Sequence, residues 1–133
     1  MQARNRTILF FDSSPTLLPL KRELRRSNLL IYECRAPAEV LFAAHRLPIG
    51  LILIDLLVPG EPSGYDLCKR LREDYRIAST AIFLFCEHPL PIQVTRSYSY
   101  DLGADRLVFP PIDPVYLASQ ISLILQTDER ALP

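Results

Sequence analysis

"LILIDLLVPG", residues 51–60, sets four apolar residues directly against Asp55 and then runs into a Pro-Gly turn. The run is apolar on both parities, and with Gly50 it predicts a central strand covered on both faces. Stripping a carboxylate of water costs several kcal/mol unless something pairs with it. An aspartate ending such a strand therefore asks for a chemical partner.

Outward from this strand, short apolar runs alternate with segments of helical period. "TILFF" (7–11), "LLIYECR" (29–35), "TAIFLF" (80–85) and "RLVF" (106–109) read as further strands. "PTLLPLKRELRRSN" (15–28), "PAEVLFAAHR" (37–46), "YDLCKRLRED" (65–74), "IQVTRSYSYDLG" (92–103) and "DPVYLASQISLILQ" (113–126) read as helices. The prolines of the first lie in its opening turn, and Asp113-Pro114 gives the last an N-cap and N1. Five strands in strict alternation with five helices imply an α/β fold. Its parallel strands are joined by right-handed crossovers in a doubly wound sheet.

The 133 residues are expected to form one domain, with 127–133 as a tail. Fifteen basic residues balance fifteen acidic ones, so no overall field draws nucleic acid or an anionic membrane. The run Lys21, Arg22, Arg25 and Arg26 reads as the solvated side of a helix whose apolar side is Leu17, Leu20 and Leu24. Cys34, Cys68 and Cys86 are odd in number and form no CxxC pair, and a cytoplasmic location is the expectation. The stretch "MQARNRTILFF" lacks the long apolar segment expected of a signal peptide, and nowhere do 18 apolar residues run together.

In open α/β sheets the working site lies beyond the carboxyl ends of the strands. Those ends carry Asp12, Asp55, Cys86 and Pro110. Two carboxylates on neighbouring strand ends suit a cation site or a pair with perturbed pKa values.

With these residues in place, "ILFFDSSP", "LILIDLLVPG", "GYDLCKRLR", "GADRLVF" and "PPIDPVYL" resemble the receiver domain of two-component response regulators over residues 7–126. The resemblance implies a flavodoxin-like five-stranded parallel sheet of order 2-1-3-4-5. It makes Asp55, with Pro59 four residues on, the phosphoacceptor position. It assigns a weak Mg²⁺ site to Asp12, Asp55 and the backbone carbonyl of Leu57, and a cis peptide bond into Pro111. It implies partners too: a histidine kinase or downstream effector, or a second copy meeting the surface of helix 92–103, strand 106–109 and helix 113–126.

Three site positions depart from the family, and Leu107 stands where its fifth strand carries an aromatic. Ser13 stands where receivers carry a second acid, Cys86 where they carry Thr or Ser, and Pro110 where they carry lysine. Phosphoryl transfer rests on positioning and on positive charge around the moving oxygens. A full charge at about 4 Å contributes roughly 4 kcal/mol at an effective dielectric of about 20. Its loss from a transition state is worth on the order of a thousandfold in rate. Arg106 lies too far back along its strand to replace it, which leaves His88 as the candidate cation.

The sequence therefore predicts an atypical receiver: a non-enzymatic protein-interaction module with an impaired phosphorylation site. The alternatives are a receiver phosphorylated on Asp55 and, from a different class, a small enzyme using the Cys86 thiol.

Overall fold

In the computed structural model five parallel strands form one sheet of order β2-β1-β3-β4-β5. The strands are β1 (Thr7–Phe11), β2 (Leu30–Cys34), β3 (Ile49–Asp55), β4 (Ala81–Phe85) and β5 (Arg106–Val108). Among the described residues the helices are α1 (Leu18–Arg26), entered through a 3₁₀ turn (Pro15–Leu17), α2 (Pro37–Arg46), α3 (Gly64–Glu73) and α4 (Pro114–Arg130). The structure describes residues 6–56, 63–74, 76–77, 80–88, 91, 93–94, 97 and 103–130, with side chains to 126. The helix expected over 92–103 falls largely outside them.

Strand alternation divides the core in two. Ile8, Phe10, Leu51, Leu53, Phe83 and Phe85 face α1 and α4, where Leu17, Leu20, Leu24, Leu117 and Ile121 complete a buried layer. Leu9, Phe11, Ile52, Ile54, Ile82 and Leu84 pack on the other side with Val40 and Ala43 of α2 and Leu67, Cys68 and Leu71 of α3. Every residue of β3 is buried, as its two-parity apolar run requires. Edge strand β2 leaves Leu30 and Tyr32 exposed.

Helix α1 ends because Asn28 takes φ 63°, the left-handed C′ conformation that asparagine tolerates. Leu29 N–H then donates to Leu24 C=O at 3.1 Å and Asn28 N–H to Arg25 C=O at 3.0 Å, a Schellman pair. Gly103 also has positive φ, 68°, and lies against Arg72 of α3. The Arg72 guanidinium donates to Gly103 C=O (2.7 Å), Thr80 C=O (2.7 Å) and Asp105 Oδ2 (2.6 Å). Asp105 Oδ2 in turn accepts from Ile82 N–H at 2.8 Å. "GAD" thus fixes where β5 joins β4, which sets the position of the loop at Pro110.

Candidate functional site

The pairing Phe11↔Ile54 brings Asp12 and Asp55 to adjacent strand ends. By alternation both continue the face of Phe10 and Leu53, the side covered by α1. Asp55 is 4% exposed. Two bonds extend the ladders past the strands: Leu56 N–H to Phe85 C=O at 2.9 Å and Cys86 N–H to Val108 C=O at 3.0 Å. The four strand ends are held as one rim. Gly64 presses on it, since a Cβ there would lie 3.0 Å from Asp55 C=O and 3.1 Å from Leu56 Cα. Only a residue without a side chain lets α3 start so close to the carboxylate's backbone.

The main finding at this rim is Lys21. The solvated side assigned to it is a misreading: Lys21 is 4% exposed. Its ammonium donates to Asp12 Oδ1 at 3.0 Å, Asp12 Oδ2 at 3.2 Å and Glu33 Oε1 at 2.9 Å, and lies 5.0 Å from the centre of the Phe10 ring. The reason is angular. At 100° per residue Lys21 lies about 40° beyond Leu17, at the edge of the apolar arc, whereas Arg25 and Arg22 swing further outward. The ammonium can stay there because Asp12 and Glu33 take its protons. The pairing Phe10↔Glu33 sets Glu33 beside Phe10, under α1.

These contacts set the electrostatics. Burial raises the Asp12 carboxyl above the ordinary carboxylate range, and the hydrogen bond and charge of Lys21 offset only part of that rise. Glu33 moves the other way, drawn down chiefly by its hydrogen bond from Lys21. The Asp12 side chain is 4% exposed and that of Glu33 52%, so desolvation prevails at the first and pairing at the second.

Across the rim, Glu87 accepts from Ser14 Oγ at 2.8 Å and from Thr16 Oγ1 at 2.7 Å. Ser14 Oγ also accepts from Thr16 N–H at 3.1 Å as the N-cap of the 3₁₀ turn. One carboxylate thereby ties the loop after β1 to the loop after β4. Lys21, Glu33 and the Ser14–Thr16–Glu87 clamp were not singled out from the sequence as site residues.

The other expected positions are placed as follows. Ser13 is exposed, Cys86 is a buried free thiol, and the Pro110–Pro111 peptide is cis. Burial raises the other two thiols, Cys34 to about 12 and Cys68 to about 11. Leu57, whose carbonyl was to complete the metal site, and Pro59 lie outside the described residues. His88 is exposed; the Glu87 carboxyl is held low chiefly by its hydrogen bonds from Thr16 and Ser14, and the His88 charge adds least. Arg106 is engaged by Gln120 and the Phe83 ring.

The residues described do not fit a divalent cation as they stand. Both oxygens of Asp12 face an ammonium, Ser13 offers no charge, and no group of three or more His, Cys, Asp or Glu among the described residues is arranged to hold one. Nor is any described helix long and apolar enough to cross a membrane.

The sheet order, with an aspartate closing the central strand, is that of the CheY-like flavodoxin fold. No protein-family model matches the chain. The fold is similar to the receiver domain of a signal transduction histidine kinase from Syntrophus aciditrophicus, with TM-score 0.78, 28% identity, and 97% and 95% of the two chains covered. It is also similar to the receiver domain of an HD domain-containing protein from Pseudomonas fluorescens, with TM-score 0.79 at 20% identity over 100% of this chain and 97% of that one. In sequence it is 26% identical over 125 residues to the transcriptional regulatory protein BaeR of Escherichia coli, and it spans about half of that protein's length (50%). Fold and sequence together make the chain similar to signal receiver domains.

Proposed function

We propose that this receiver domain serves two-component signalling as a fixed protein-interaction module, with a phosphorylation site impaired relative to its relatives. The observation that carries the reading is the Lys21 ammonium on Asp12. A receiver that takes a phosphoryl group needs cationic charge aimed at the incoming oxygens. Here the buried cation is spent on the carboxylate itself. Pro110 stands in the position where the family places lysine, and Cys86, a weaker donor than a hydroxyl, in the position of its Thr or Ser. Pro110 also lacks an N–H and has a fixed φ, which suits a stationary loop more than a switching one.

Its partners are a histidine kinase, a downstream effector or a second copy. The surface offered to them includes β5 and α4, where Val115, Tyr116 and Leu123 are exposed. Incubation with Mg²⁺ and a small phosphodonor, followed by intact-mass analysis and size-exclusion chromatography, tests the reading. It predicts no acyl phosphate and no change of assembly, and stoichiometric modification of Asp55 with altered assembly overturns it. The competing reading, phosphorylation on Asp55, is favoured by that aspartate's retention at the end of β3 and is the other outcome of the same assay.

A further inference from the structure

Lys21 and Asp55 are each 4% exposed as whole residues, and Lys21 reaches this burial from a helix that is otherwise basic on its outer side. An ammonium has three N–H donors. Lys21 finds three carboxylate oxygens within 3.2 Å, two on Asp12 and one on Glu33, with the face of Phe10 beside it. Protein groups replace its hydration shell. Asp12 lies next to the end of β3, so the ammonium offsets part of the pocket's negative charge from its α1 side.

A divalent ion that used Asp12 would share that carboxylate with a like charge a few ångströms away, in a site poor in water to screen the two. We propose that Lys21 is the pocket's resident counter-cation, held by Glu33, and that it keeps divalent metal off Asp12. Removing the ammonium then uncovers a divalent-cation site at Asp12 and Asp55. The inference deepens the reading of an impaired phosphorylation site, but it is measured by metal occupancy and not by phosphorylation.

The test is Mn²⁺ titration of the whole chain, read by the electron paramagnetic resonance of free Mn²⁺ and by calorimetry. Wild type and Lys21→Arg, which keeps the charge, show no saturable site in the millimolar range. Lys21→Met binds one Mn²⁺ at least about tenfold more tightly than wild type, and Lys21→Met/Asp12→Asn loses that binding. Wild-type binding that disappears in Asp12→Asn overturns the proposal. So does a Lys21→Met affinity no better than wild type, or one that survives removal of Asp12. If Lys21→Met alone is unfolded, Mn²⁺ restores its circular dichroism signal. A chain that stays unfolded at high Mn²⁺ counts against the proposal, which requires a divalent ion to serve Asp12 as the ammonium does. The two readings fail separately. A wild type that is phosphorylated yet takes no Mn²⁺ on Asp12 removes the functional reading and leaves the role of Lys21 intact.

Discussion

Cutting the Asp12–Lys21 pair one partner at a time, and then both together, should give a strongly non-additive stability cycle. At 3.0 Å the attraction is about 5–6 kcal/mol at an effective dielectric of about 20. Most of it offsets the cost of burying two charges, and removing one partner of a buried pair typically costs about 3–5 kcal/mol. Lys21→Met leaves Asp12 without its ammonium, in a position where burial already raises its carboxyl. The expected loss at neutral pH is about 3–4 kcal/mol, a large share of the roughly 5–15 kcal/mol of a domain this size. Asp12→Asn leaves Lys21 with Glu33, whose half-exposed side chain returns about 0.5–1 kcal/mol, so its loss is about 2–3 kcal/mol. The double variant buries neither charge and should fall within about 1–2 kcal/mol of wild type. The chain has no tryptophan, so urea unfolding is followed by far-ultraviolet circular dichroism. The pH dependence adds a signature. A carboxyl raised in the folded state favours folding when protonated, so the Lys21→Met deficit shrinks as pH falls through the folded Asp12 value. A Lys21→Met variant within about 0.5 kcal/mol of wild type, or a double variant equal to the sum of the singles, refutes the reasoning.

Three further outcomes follow from other contacts. Gly64→Ala should cost about 1–3 kcal/mol, because its nearest atoms are the backbone of Asp55 and Leu56 and cannot yield as a flexible side chain does; urea midpoints measure it. Glu87→Ala releases both hydroxyls of the clamp, so amide exchange over residues 13–17 should speed up while the β3 amides stay protected; unchanged exchange would show that the clamp holds nothing. The Asp74 carboxyl, held low by hydrogen bonds from Arg76 and His45, adds stability above the unfolded carboxylate range that is lost as pH falls through its folded value. Asp74→Asn should therefore melt lower than wild type at neutral pH and converge with it in acid.

Much of this architecture was legible from residue order. The two-parity run at 50–54 is the wholly buried β3, and the alternation of strands and helices is the doubly wound sheet. The site was legible only in part. Asp12 and Asp55 stood out because strand ends are where such sheets work. Lys21 did not, because a lysine within the basic run of an amphipathic helix has the pattern of a solvated side chain. A count of 100° per residue from Leu17 sets Lys21 at the border of the leucines, close enough for its stem to follow them inward. The rest of the cluster has weaker marks in the sequence. Glu33 interrupts an apolar strand opposite Phe10, and Glu87 follows a strand end without motif context. Their roles come from register and loop closure, which bring residues 71 or more positions apart into one clamp.

The most direct measurement is the ¹H–¹⁵N correlation spectrum of the wild-type domain, recorded alone, with Mg²⁺, and with Mg²⁺ and beryllofluoride as the phosphoryl mimic. A pocket whose Asp12 is already occupied by its own ammonium predicts superimposable spectra throughout. Magnesium-dependent shifts that cluster at Asp12, Asp55 and Cys86, and then spread through β5 and α4 on adding the fluoride, would contradict it.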